Sequence, residues 1–188
     1  MLFGFVTPNQ LTVLRMALVP LFILLVAYDI WGWALATFLL AGITDLLDGL
    51  IARRWKKKTD LGTVLDPLAD KLLLVSSFIV FTFSSDPLAV RLPLWLTITV
   101  IGRDLLLVVS VLVFNLTVGR RTFSPSPVGK ATTVAQLLLI LAVLLGNLRA
   151  APLPGMGMLT WLALVLTVTS GLHYMFQGMK VVAAAWED

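Results

Sequence analysis

Four aspartates stand out in the stretch DLLDGLIARRWKKKTDLGTVLDPLAD, residues 45–70. Asp45 and Asp48 are three apart, and Asp66 and Asp70 four apart, so on helices each pair shares one face. The short basic segment between the pairs makes their two helices antiparallel neighbours and puts both pairs at one depth, close to a membrane surface. An Asp inside a membrane span costs about 2.5–3.5 kcal/mol at mid-bilayer and less near an interface; four together add mutual repulsion. A hard divalent cation held through oxygen removes that repulsion, and Mg²⁺ or Mn²⁺ suits carboxylates that also face phosphate groups. The plainer alternative is helix caps and surface carboxylates paired with neighbouring Arg and Lys, and Asp60 alone fits it. Gly49, Ala52 and Gly62 remove bulk beside the carboxylates, allowing close approach of a helix or ligand. Pro67 falls in the first turn of its helix, where proline is tolerated.

The elements that must position these residues follow from hydropathy. The chain has 188 residues, 59% hydrophobic and 13% charged, about half the charged share of a soluble domain. Too few polar side chains remain to cover a soluble fold. About 20 residues of helix cross the hydrocarbon core, and six segments qualify: about Asn9–Tyr28, Trp33–Arg53, Val64–Phe83, Pro93–Val118, Pro127–Leu148 and Met158–Val181. Ahead of them, Leu2, Phe3 and Phe5 form a short interfacial segment. The expected fold is an all-α integral membrane protein, a single domain over residues 1–188, with no internal repeat.

Nine basic residues (Arg53, Arg54, Lys56, Lys57, Lys58, Arg120, Arg121, Lys130 and Lys180) fall in one set of loops, and two (Arg91 and Arg149) in the other. The excess of positive charge marks the cytoplasmic side, so both termini are expected there. Trp31, Trp33, Trp95 and Trp161 fall at the outer boundary, Trp55 and Trp186 at the inner one. The net charge of +4 is spread between apolar runs, which suits anionic lipid and points to no nucleic-acid target. Without cysteine there is no disulfide, thiolate metal site or sulfur nucleophile. The opening residues lack the basic and small-residue pattern of a removable signal peptide.

Asp45, Asp48, Gly49, Ala52, Arg53, Gly62, Asp66 and Asp70 match the pattern D-x2-D-G-x2-A-R-x8-G-x3-D-x3-D at all eight positions. In this the sequence resembles the CDP-alcohol phosphotransferase (CDP-alcohol phosphatidyltransferase) family, and the likeness extends to six helices and chain length. The resemblance implies transfer of a phosphatidyl group from CDP-diacylglycerol to an alcohol, with release of CMP, by a homodimer in the cell inner membrane whose active site faces the cytoplasm. It also implies two divalent cations held by Asp45, Asp48, Asp66 and Asp70, with Asp70 the base, and a CDP site lined by Gly49, Ala52, Arg53 and Gly62.

Residues 8–15, PNQLTVLR, resemble the P-N-x-L-T-x-x-R opening of bacterial phosphatidyltransferases. Asn9, Thr12 and Arg15 would reach the nucleotide or diphosphate; the alternative is that Asn9 and Thr12 cap the first helix. Arg103, beside Asp104 deep in the fourth segment, reads either as a bidentate site for an acceptor phosphate or as a packing ion pair. Lys130 reads as a second acceptor cation or as a snorkelling interfacial lysine. His173 reads as a packed residue without a role. The GRD and GKATT segments resemble both phosphatidylglycerophosphate synthases, which take glycerol 3-phosphate, and the cardiolipin synthases of the same superfamily, which take phosphatidylglycerol. Chain length and the opening motif favour glycerol 3-phosphate. Asp104 in place of the frequent Glu, the neutral run Ser110–Phe114 and the Phe-Ser-Pro-Ser tract lean the other way. A divalent-cation carrier is the non-enzymatic alternative, but it needs a polar path across the membrane, and the outer halves of the second and third segments are nearly all apolar.

Overall fold

The computed structural model describes the backbone of residues 8–55, 60–84, 88–117 and 127–185, and the side chains of 13–44, 71–84, 88–109 and 127–176. The described residues are all helix and short connections, in the order α1 (Pro8–Ala27), α2 (Trp31–Trp55), α3 (Asp60–Phe83), α4 (Leu94–Thr117), α5 (Pro127–Leu148) and α6 (Met156–Ala185). Six helices stand where hydropathy puts six segments. Leu2, Phe3, Phe5 and Trp186 lie outside the described residues. Two helices, Pro127–Leu148 and Met156–Phe176, are long and apolar enough among the described residues to cross a membrane. Val13–Ala27, Trp31–Thr44 and Lys71–Phe83 are shorter apolar stretches of helices that continue past them.

Hydropathy detects the part of a helix suited to hydrocarbon and misses its polar ends. That explains two corrections. α3 starts at Asp60 rather than Val64, so Pro67 is its eighth residue, well past the first turn, where its ring removes one intrahelical hydrogen bond. A carboxylate in the first position favours this early start through the helix dipole. α1 starts at Pro8, a residue suited to the first helical position, so Asn9 and Thr12 are inside the helix and are not its cap.

The helices group into two compact units, one holding residues 1–91 and 143–152, the other 92–142 and 153–188. In the first, α2 and α3 both pack on α1. Phe22 of α1 is fully buried, its ring 5.9 Å from Phe38 of α2 and 6.3 Å from Phe81 of α3. Ala34, Phe38 and Ala41 line one buried stripe of α2, and the two alanines permit close helix approach. Buried hydroxyls turn back on their own helices: Thr44 donates to Ala41 O (2.8 Å) and Ser77 to Leu73 O (2.7 Å). An apolar medium offers such groups no other cheap partner.

Two tight ends complete this unit. After α1, Asp29 takes φ 57°, and the Ile30 N–H donates to Leu25 O while the Asp29 N–H donates to Val26 O, the Schellman arrangement. α5 ends the same way on Ala150, φ 53°, with Ala151 N–H to Gly146 O and Ala150 N–H to Asn147 O. Just inside that end, the Asn147 side chain grips the main chain of Val90. Its Oδ1 accepts from the Val90 N–H (3.1 Å) and its Nδ2 donates to the Val90 carbonyl (3.0 Å). Gly146 gives Val90 room, since a Cβ there would stand 2.7 Å from Val90 Cγ2 and 3.3 Å from the Ala151 carbonyl.

In the second unit α4 and α6 pack together and run in the same direction. Near their starts Trp95 and Trp161 meet, ring centroids 5.6 Å apart and both exposed, as expected of boundary anchors. α5 joins α6 through polar groups: Thr132 reaches the Leu166 carbonyl (2.9 Å), and Gln136 Nε2 donates to Thr167 Oγ1 (3.1 Å).

These helix ends predict opposite outcomes four residues apart. Gly146→Ala overpacks against Val90 and should lower stability by about 1–3 kcal/mol. Ala150→Gly relieves a left-handed alanine and should raise it by about 1 kcal/mol. Thermal unfolding of the detergent-solubilised protein reads both.

Candidate functional site

The backbone places all four aspartates inside helices. Asp45 and Asp48 precede the end of α2 by ten and seven residues, and Asp66 and Asp70 follow the start of α3 by six and ten. At 1.5 Å per residue, Asp45 and Asp70 lie about 15 Å from the ends that face the short 56–59 connection, and Asp48 and Asp66 about 10 Å. Interior positions rule out the helix-cap alternative for these four. The side chains of Asn9, Thr12, Asp45, Asp48, Gly49, Ala52, Arg53, Gly62, Asp66 and Asp70 lie outside the described residues. Among the described residues no group of three or more His, Asp or Glu forms a metal cluster. Four aspartates at matched backbone positions along α2 and α3 are a residue type that suits hard divalent cations.

Arg15 of α1 is buried, 1% exposed, in the helix on which α2 and α3 pack. It stands seven residues from the start of α1, about 10 Å along the axis, matching the distances of Asp48 and Asp66 from their own helix ends.

The second unit holds the other charged candidates. Arg103, 6% exposed, donates from Nη1 to Asp104 Oδ1 (2.8 Å) and from Nη2 to Ser170 Oγ of α6 (2.6 Å). Its Cζ lies 5.7 Å from the centroid of the Tyr174 ring, within cation–π range. Nε is buried with no hydrogen-bond partner among the described residues. Asp104 is also buried, so the pair is a neutral unit inside the helix packing. Lys130 is exposed in the first turn of α5. His173 is exposed as well, against the expectation that it packs, with its ring 6.4 Å from that of Tyr174.

Nothing local in the chain marks Ser170, Gly171 and Tyr174 as neighbours of Arg103. Small and aromatic residues on an apolar helix are ordinary, and what singles these out is facing an arginine 67 residues away in sequence.

Residues 5–169 match the model of the CDP-alcohol phosphatidyltransferase family. The chain belongs to that family. CDP-alcohol phosphatidyltransferases are membrane-bound and in general depend on divalent cations, in keeping with the apolar helices and the aspartates. The chain is 38% identical over 135 residues to a cardiolipin synthase (CMP-forming) of Streptomyces coelicolor, covering 67% of this chain and 59% of that protein. It is 33% identical over 185 residues to the CDP-diacylglycerol–glycerol-3-phosphate 3-phosphatidyltransferase of Bacillus subtilis, covering 89% and 92%. To a probable phosphatidylglycerophosphate synthase of Mycobacterium tuberculosis it is 34% identical over 184 residues, covering 92% and 81%. It thus spans less than two thirds of the cardiolipin synthases it matches first and nearly the whole of the Bacillus protein.

The ion pair sets a stability prediction. Asp104→Ala strands the Arg103 guanidinium and should cost about 3–5 kcal/mol. Replacing both partners, as Arg103→Met with Asp104→Ala, should recover part of that loss because the two effects are coupled. Thermal midpoints in detergent of wild type, Asp104→Ala, Arg103→Met and the double variant test it.

Proposed function

We propose that this chain transfers a phosphatidyl group from CDP-diacylglycerol to glycerol 3-phosphate and releases CMP, as a phosphatidylglycerophosphate synthase in phospholipid biosynthesis. The supporting observation is the eight-position aspartate pattern on α2 and α3, two helices that share α1 as packing partner. The near end-to-end likeness to the Bacillus enzyme favours glycerol 3-phosphate. In this reading all six helices cross the inner membrane, both termini and the aspartates face the cytoplasm, and the chain acts as a homodimer.

Each residue then has a task. Asp45, Asp48, Asp66 and Asp70 hold two divalent cations, Mg²⁺ or Mn²⁺, which supply charge neutralisation to the diphosphate. Gly49, Ala52 and Gly62 present backbone and space to the CDP moiety, with Arg53, Asn9 and Thr12 as polar contacts. Asp70 takes the proton of the acceptor hydroxyl. The hydroxyl oxygen forms a bond to the phosphatidyl phosphorus, the bond from that phosphorus to the CMP oxygen breaks, and CMP leaves with the electron pair. Arg103 and Lys130 meet the acceptor phosphate. The diacylglycerol tails remain in lipid.

A second reading, cardiolipin synthesis with phosphatidylglycerol as acceptor, is favoured by the likeness to the Streptomyces enzyme and by the Arg103–Asp104 pair. A guanidinium already neutralised has less to offer a dianion. The two readings, and the cation carrier, separate in one experiment: purified protein, CDP-diacylglycerol and Mg²⁺ with each alcohol, following CMP. Glycerol 3-phosphate should release it fastest; release with phosphatidylglycerol alone selects the second reading, and none with any acceptor returns the carrier.

Asp70→Asn should retain the fold and CDP-diacylglycerol binding while turnover falls about 10²–10⁴-fold; near-normal turnover removes Asp70 as the base. Arg103→Ala should raise KM for glycerol 3-phosphate far more than KM for CDP-diacylglycerol. An equal rise in both would assign Arg103 to packing.

A further inference from the structure

Arg103 is held from three sides. Nη1 is spent on Asp104 of its own helix, Nη2 on Ser170 of α6, and the guanidinium lies against Tyr174, one turn beyond Ser170. Gly171 completes this edge of α6, its Cβ position 3.6 Å from Arg103 Cγ, so the arginine stem lies along the helix. The buried Nε is without an acceptor among the described residues. Arg103, Leu106, Leu107, Gly171, Tyr174 and Met175 line a cavity of about 10 Å³, close to the least that one water needs. A purely structural arginine in an apolar setting is expected to spend every N–H it can, because a buried unmet donor is costly. This one is fixed in orientation while its buried Nε stays without an acceptor among the described residues.

We propose that Ser170 and Tyr174 are positioning residues for the phosphate-bearing acceptor: they set the plane of the Arg103 guanidinium so that its Nε edge faces an incoming phosphate. This rests on Arg103 being the acceptor cation, as proposed above, and deepens it by naming the α6 residues that orient it. Ser170 fixes rotation about the guanidinium through one short hydrogen bond. Tyr174 fixes its tilt through its ring. A flexible arginine would lose most of its bidentate advantage over lysine, so the cradle acts on acceptor affinity and leaves the CDP-diacylglycerol side untouched.

The test uses the purified protein in detergent–lipid micelles, the CMP assay and five variants: Ser170→Ala, Tyr174→Leu, Arg103→Lys, the double variant Ser170→Ala with Arg103→Lys and, as a control on the exposed side of α6, Thr169→Val. Ser170→Ala and Tyr174→Leu should each raise KM for glycerol 3-phosphate about 10-fold with KM for CDP-diacylglycerol within about twofold. Thr169→Val should behave as wild type. In the Arg103→Lys background Ser170→Ala should add little, since its effect passes through the guanidinium. Should Tyr174→Leu fail to fold, Ser170→Ala decides alone. Equal changes in both KM values, or an undiminished effect in the Arg103→Lys background, overturn the positioning role. If Arg103→Lys itself leaves acceptor KM unchanged, the assignment of Arg103 falls and the cradle falls with it. If only Arg103→Lys moves acceptor KM, the cradle alone is refuted.

Discussion

A charged side chain among apolar helices persists only where an opposite charge or a set of hydrogen-bonding groups is built in beside it. That constraint shapes both units of this protein. In the second, Arg103 has its carboxylate in the next residue and its remaining partners on a helix running alongside, so the pair adds no net charge to the interior. In the first, α1 carries the fully buried Arg15, and the two helices packed on it carry four aspartates. In the proposed reading, divalent ions held by those aspartates would offset their mutual repulsion and would favour a diphosphate as ligand.

How much of this could be read from the chain depends on the kind of signal. Helices were legible because twenty apolar residues in a row have few other stable conformations in a bilayer. Their ends were less so: the start of α3 is hidden by Asp60, Gly62 and Thr63, polar or small residues that hydropathy assigns to the connection, and Pro67 was misplaced as a result. The aspartate pattern was legible because spacing on two helices is itself geometric information. The surroundings of Arg103 were not, because Ser170 and Tyr174 become partners only through packing between elements far apart in sequence. The exposed His173 escaped for the same reason, since nothing local reports which face of α6 it occupies.

In the proposed reading, charge balance separates the two acceptors more sharply than family does. Glycerol 3-phosphate brings two negative charges, and a receptor for it must have positive charge to spare. Phosphatidylglycerol brings its charge on a phosphodiester already anchored by lipid tails, and needs less. Arg103 stands between these cases: compensated by Asp104, yet with Nε uncommitted among the described residues. Exposed Lys130 supplies a second cation in the same unit. Identity percentages to the two kinds of relative are too close to weigh against that electrostatic distinction.

The clasp between Asn147 and Val90 has a different consequence. An amide that pairs with both the N–H and the C=O of one residue recognises main chain and is blind to the side chain attached to it. The connection between α3 and α4 is thereby free to drift in chemical character, while the volume at position 90 stays tied to the missing side chain at Gly146. Substitutions there should be accepted by size, and an insertion or deletion between Val90 and α4 should be far less welcome than any change of residue type.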